Sequence, residues 1–176
     1  MTKLIINYAK RKNIDLDLYG KVNNGEYPLM WAISNNNLEL VKLLLDYIDN
    51  NNISFNINES DHYGWYPLLL AIKNENLEIA QLLMNHAKHV NAQDDNGCTA
   101  LHAVASTNNY KMALFLINNS ETNLNAKNDN GWTVLHIVAR KNNYELAEYL
   151  IEYSQIDLNK KDNEWNTPLH IAIQYG

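Results

Sequence analysis

The chain has a single cysteine, Cys98, so no disulfide can form within it. That suits a reducing compartment, and an intracellular, cytoplasmic protein is expected. No run of 18 apolar residues occurs, so no membrane-spanning helix is predicted. The first residues, Met1 to Asn7, lack the apolar stretch of a secretory signal. Positive charge is thin: Lys and Arg number 14 against 20 Asp and Glu, the formal charge is −6, and the longest basic run is Lys10-Arg11-Lys12. A chain of that sign does not meet phosphates over a broad area, so neither nucleic acid nor a membrane surface is an expected partner. No G-x-x-x-x-G-K-[ST] or G-x-G-x-x-G run is present to cradle a phosphate. Prolines number three and glycines six, too few to punctuate 176 residues by themselves.

Asparagine fills that gap. It occurs 30 times, dispersed among apolar helical segments and never in a long tract. Many copies fall at loop positions, where Asn tolerates a left-handed backbone. Lys, Ile and Tyr are also common, so the abundance itself reads as AT-rich coding. With 46% hydrophobic and 19% charged residues, the chain is long and apolar enough for one folded domain.

A repeat organises the whole sequence. Its first marker is Pro28-Leu29-Met30-Trp31-Ala32, then Pro67-Leu68-Leu69-Leu70-Ala71, Ala100-Leu101-His102-Ala103-Val104, Val134-Leu135-His136-Ile137-Val138 and Pro168-Leu169-His170-Ile171-Ala172. The anchoring leucines are spaced by 39, 33, 34 and 34 residues. A second marker keeps phase: Val41 to Leu45, Ala80 to Met84, Ala113 to Ile117 and Ala147 to Ile151. A third is an apolar residue before Asn, at Ile57, Val90, Leu124 and Leu158. Each unit reads as two short helices and a turn. Proline suits the first helical position, where its missing N–H has no partner to lose, and Thr99, Thr133 and Thr167 precede that position as N-caps. The Asn-rich turn between the helices fits a left-handed helix stop. Gly25, Gly64, Gly97 and Gly131 stand three residues before the helix-opening position and suit a tight hairpin; Trp165 takes that place in the last unit, where a local distortion is expected.

These units resemble ankyrin repeats, a family with a 33-residue period and a T-P-L-H-x-A run. Thr167 to Ala172 matches that run at every specified place, and Thr99 to His102 and Thr133 to His136 match all but the proline. The resemblance implies an all-α solenoid of stacked helix-turn-helix units with hairpin-like loops. It also implies a local hydrogen-bond network between the Thr hydroxyl and the His ring. In the first two units Tyr27 and Tyr66 replace Thr while Met30 and Leu69 replace His, a joint loss that exchanges a polar node for an apolar one. The resemblance further allows hydroxylation of Asn91 and Asn125.

The expected organisation is a single repeat domain over residues 1–176. It comprises a partial repeat 1–21 (second helix only), full repeats 22–60, 61–93, 94–127 and 128–161, and a partial repeat 162–176 (first helix only). Leu169, Ile171 and Ile173 would then lack a helical partner, which favours a fragment of a longer array. About six extra residues around Ile48 to Phe55 extend a second helix or lengthen a loop.

No catalytic residue, cofactor or metal is expected. His102, His136 and His170 recur in phase, but equivalent positions in stacked units lie about 8–10 Å apart, too far to share one ion. His62, His86 and His89 are expected on solvated turns, Cys98 as a free surface thiol, and Asp94-Asp95 as a solvated tip. Trp31 is expected to pack. The concave surface of such an array, made of hairpin tips and first helices, implies a protein partner for a monomer. The candidate contact residues are Tyr63, Trp65, Lys73, Asp95, Trp132, Arg140 and Lys141. Trp65 and Trp132 lead, because a large aromatic just past a hairpin glycine is not demanded by a core; the rival reading has each indole brace a neighbouring hairpin. Arg140 and Lys141 suit an acidic partner segment. The rival function is a regulatory or substrate-docking segment of a larger protein whose catalytic domain lies elsewhere, and a third is a spacer without a dedicated partner.

Overall fold

A computed structural model of the chain describes residues 1–86, 90–119, 121–153 and 155–176. The chain divides into two compact units, Met1–Ala87 and Lys88–Gly176. The first holds α1 (Thr2–Lys12), α2 (Pro28–Ser34), α3 (Leu38–Asn50), α4 (Pro67–Lys73) and α5 (Leu77–His86). The second holds α6 (Ala100–Thr107), α7 (Tyr110–Ile117), α8 (Val134–Arg140), α9 (Tyr144–Tyr153) and α10 (Pro168–Tyr175).

The two units obey the same packing rule. Within each unit a first-type helix packs on the second-type helix that follows it and on a neighbouring first-type helix: α2 on α3 and α4 in one unit, α8 on α6, α9 and α10 in the other. The anchoring leucines Leu29, Leu68, Leu101 and Leu135 are buried, as are Ile33, Ile72, Ala105 and Val138. Among the described residues there is no extended sheet; an isolated antiparallel bridge joins Gln93 and Thr99 across one hairpin.

The Asn-rich turns divide their work between two positions. Asn36, Asn108 and Asn142 take left-handed backbone, with φ of 54, 58 and 51°. In the second full repeat that conformation falls on Glu75 (φ 53°) rather than on either flanking Asn. The following residues, Asn37, Asn76, Asn109 and Asn143, cap the second helices: each side-chain oxygen accepts the N–H three residues on, at 2.9 to 3.1 Å. Within each unit these amides also join successive turns, Asn76 to Asn36 at 2.6 Å and Asn143 to Asn108.

The extra residues of the first full repeat do both things expected of them. Helix α3 runs 13 residues against 10 for α5, and the loop beyond it carries Phe55 against Tyr19 and Tyr27 at ring distances of 4.8 and 5.5 Å.

Three expectations need correction. Trp31 is 51% exposed, because no helix of the described residues covers that side of α2; its indole N–H donates to Glu26 at 2.9 Å. Ile171 is buried against α8, although Leu169 and Ile173 of the same helix are exposed. Trp165 distorts nothing: its φ of 69° matches the 70 and 75° of Gly97 and Gly131.

The reason glycine is needed at 97 and 131 is the next hairpin. A Cβ on Gly131 would stand 2.7 Å from the backbone nitrogen of Asn163, and one on Gly97 would stand 2.9 Å from that of Asp129. Those N–H groups donate to the carbonyls of Asn130 and Asn96 at 3.1 and 3.0 Å, so they cannot retreat without loss. Among the described residues no hairpin leans on Trp165, which is 72% exposed. Gly131→Ala is therefore expected to cost about 2 kcal/mol or more from left-handed strain and contact together. Trp165→Gly, relieving strain but freeing the unfolded chain, is expected to change stability by less than about 1 kcal/mol. Urea unfolding of the two variants checks the contrast, which equal losses would refute.

Candidate functional site

Four hairpins are each built by one carboxamide or carboxylate, while the hairpin at residues 22–26 has no such residue at that position. Asp61 Oδ1 accepts the N–H groups of Tyr63 and Trp65 at 2.8 and 2.9 Å. Asp94, Asn128 and Asp162 repeat the pattern with residues two and four further on, at 2.8 to 3.0 Å. Asp61 and Asp162 are buried, and Asp94 is half-buried, so Asp94 is a turn-former and only Asp95 is a solvated tip. Burial works to raise the Asp162 pKa, but the hydrogen bonds from Asn166 and Glu164 outweigh it and hold the carboxyl below its usual value. This Asx position recurs at 61, 94, 128 and 162, a period that the sequence carries but that its three markers do not include.

The histidines link repeats. His102 Nδ1 accepts the backbone N–H of Thr99 at 3.1 Å and lies 2.8 Å from its hydroxyl, while Nε2 donates to the Trp132 carbonyl at 2.9 Å. His136 does the same with Thr133 and the Asn166 carbonyl. Those contacts fix a neutral ring with the proton on Nε2. His170 keeps the Thr167 bonds but is exposed. In the first unit the exchange is not apolar throughout: the buried Tyr27 hydroxyl donates to the Glu59 carbonyl at 3.2 Å, and burial pushes that phenol's pKa up.

The candidate contact residues fall into two small constellations and three single positions. In the first unit the Lys73 ammonium lies 4.7 Å from the Trp65 ring centroid. In the second, the Arg140 guanidinium lies 5.2 Å from Trp132 and 5.5 Å from Tyr175. The Trp132 indole N–H donates to Asp162 at 3.2 Å, and its ring stacks over His136 at 6.3 Å. Trp132 thus braces the next hairpin as well as facing solvent; Trp65 is half-buried in the same way. Tyr63 is 69% exposed, and Asp95 and Lys141 are exposed without side-chain partners among the described residues. Tyr175 is the residue that the candidate set lacks; its phase with Asn74 and Lys141 was legible, its ring over Arg140 was not.

One family model, for ankyrin repeats, matches three times, over residues 1–94, 51–128 and 120–176. The chain belongs to the ankyrin repeat family. No curated protein matches it. Ankyrin repeats are in general protein–protein interaction modules and are typically non-catalytic. Among the described residues, no three or more His, Cys, Asp and Glu side chains are placed to hold a metal, and no helix is long and apolar enough to cross a membrane.

The remaining ankyrin-turn residues have structural work. The Asn91 amide donates to the Glu121 carbonyl at 2.7 Å and accepts the Asn123 N–H at 2.7 Å; Asn125 bridges Gln155 and Asp157 likewise. Cys98 is a free thiol, but half-buried rather than on the surface: burial raises its pKa, and the Asn128 amide donates to its sulfur at 3.5 Å. His86 closes α5, its ring 3.0 Å from Asp49 and 2.8 Å from the Leu82 carbonyl, so it is not on a turn; His62 is exposed, and His89 lies outside the described residues.

Burial lowers the pKa of His102 and His136 below that of a free imidazole. The unfolded chain therefore binds protons that the folded chain refuses. Their stabilising contribution is full above the unfolded value, about 6.5, and is lost as pH falls through the folded one. The urea midpoint should drop between pH 7 and pH 5. Thr99→Tyr/His102→Leu, which copies Tyr66 and Leu69, should show a shallower drop; an unaltered slope would show that His102 is not its source.

Proposed function

We propose that this ankyrin array holds another protein on the side formed by its hairpin tips and first-type helices, with the repeat boundaries given above. The observation that carries the reading is the seating of cations on hairpin aromatics. Lys73 lies over Trp65, Arg140 over Trp132 and Lys161 over Trp165 at 4.7, 5.2 and 4.9 Å, and none of the three has a carboxylate partner among the described residues. Two lysines on second-type helices behave otherwise: Lys3 and Lys42 pair with Glu39 and Glu78 at 2.6 and 3.1 Å. Fixed but unneutralised cations beside half-exposed indoles are the composition of an interface core before its partner arrives. Tyr63, Asp95 and Lys141 complete the proposed contact set.

The test is affinity capture from the source cell with the full chain as bait, beside Trp65→Ala/Trp132→Ala. Loss of a hot-spot indole is expected to weaken a partner by about 2 kcal/mol, roughly thirtyfold, enough to remove it from the capture. Circular dichroism must show equal helicity in both baits. A partner retained in full by the double variant would refute this placement of the site.

A further inference from the structure

We propose that Arg140 is a carboxylate-binding anchor, and that the partner segment it receives is an acidic peptide. The inference rests on the interaction reading above and adds the chemistry of the partner.

Arg140 ends α8 and is exposed, and Lys141 follows it as the cap. Positive charge at a helix C-terminus is favourable in itself, because the last carbonyls leave a partial negative charge there. That accounts for a cation at the position. It does not account for the seat, since a lysine waving in solvent serves the helix end as well. Here the guanidinium carbon sits within 5.2 Å of one ring and 5.5 Å of a second, on Trp132 and Tyr175. Two rings from different repeats restrain the side chain, so rotamer freedom that a free arginine would lose on binding is already lost. Contact with the rings uses the charge of the guanidinium and spends none of its N–H donors on an oxygen. No side chain or carbonyl takes those donors among the described residues, for Arg140 makes no hydrogen bond and no ion pair there. A planar fork with unspent donors matches a carboxylate bidentately.

Trp132, which supplies one ring, is itself held by its bond to Asp162 and its stack on His136. The seat is therefore part of the repeat framework. Asp162, held ionised by its hydrogen bonds, puts a negative charge against the Trp132 indole, which favours a monoanionic carboxylate over a dianionic phosphate at this seat.

The sequence contains two arginines, Arg140 and Arg11, and Arg11 has no aromatic seat among the described residues, which makes it an internal control. The experiment is a titration of the ¹⁵N-labelled full chain, following both Nε–H resonances, with acetyl-Glu-Glu-Glu-amide and with the acetyl-Gln-Gln-Gln-amide counterpart. The expected result is a saturable shift of Arg140 with the Glu peptide only, and a weak, linear drift of Arg11. Tyr175→Leu, at an exposed helix end, keeps the charge and removes one ring; it should weaken the Glu-peptide titration several-fold with unchanged helicity. Equal responses from the two arginines, or an equal response to the Gln peptide, would overturn the assignment. A phosphoserine tripeptide that binds Arg140 more tightly than the Glu peptide would overturn the choice of carboxylate. Arg140→Lys separates this inference from the one it rests on. If a partner is captured in a Trp-dependent way yet is held equally by Arg140→Lys, the interaction stands and the carboxylate anchor falls. Roughly tenfold weaker capture is expected if the fork is what binds.

Discussion

A seven-residue helix leaves about as many backbone groups unpaired at its ends as it pairs within, since four N–H and four C=O groups at the termini have no helical partner. The first-type helices here have seven or eight residues, and none would persist alone. The architecture follows from that deficit. Every repeat must find donors and acceptors outside its own helices, and side chains of low helix propensity supply them. Asn caps the second helices, Asx residues knit the hairpins, and Thr with His ties a first helix to the carbonyl of the next repeat. The caps and the hairpin bonds are local, but the histidine's carbonyl and the turn-to-turn amide bonds of Asn76 and Asn143 lie a repeat away, so these links form only as the repeats stack within each unit.

This dependence explains which substitutions the chain tolerates in its own repeats. Where the next hairpin presses on the turn, as at Gly97 and Gly131, no side chain fits; where nothing presses, Trp165 holds the same backbone conformation. Where Thr and His are both absent, the Tyr27 hydroxyl donates to the Glu59 carbonyl, 32 residues on near the end of its own repeat. Glu75, like Trp165, carries a cost, as a left-handed residue without the side-chain chemistry that eases Asn into that region.

Periodicity made the fold legible. Three phased markers located the helices, and four of the five anchoring leucines lie in the core, Leu169 being exposed. The Asx position was just as periodic, but its meaning depends on a side-chain oxygen turning back to its own backbone, which composition hides behind the look of a charged loop. Trp31 misled because its equivalents Leu70, Ile137 and Ile171 are buried, while burial at that position depends on a neighbouring helix rather than on the residue. The site was legible only as a set of odd residues. That Lys73 and Arg140 each follow a tryptophan by eight places is in the sequence; that the spacing lays a cation over an indole needed the hairpin-to-helix geometry.

Bracing and binding need not compete for Trp132. An indole whose nitrogen is tied to Asp162 loses little further freedom when a partner covers it, and the same holds for the guanidinium it supports. The ring is worth roughly 0.5–1 kcal/mol to an exposed cation, too little to be the reason for fixing both groups. A charge-assisted pair formed on that fixed guanidinium is worth more, about 1.5–3 kcal/mol for a hydrogen bond to a charged group. The stronger of these two interactions is the one that only a partner can supply, so the stabilising contacts in the free chain are better understood as preparation of the arginine than as the purpose of its placement.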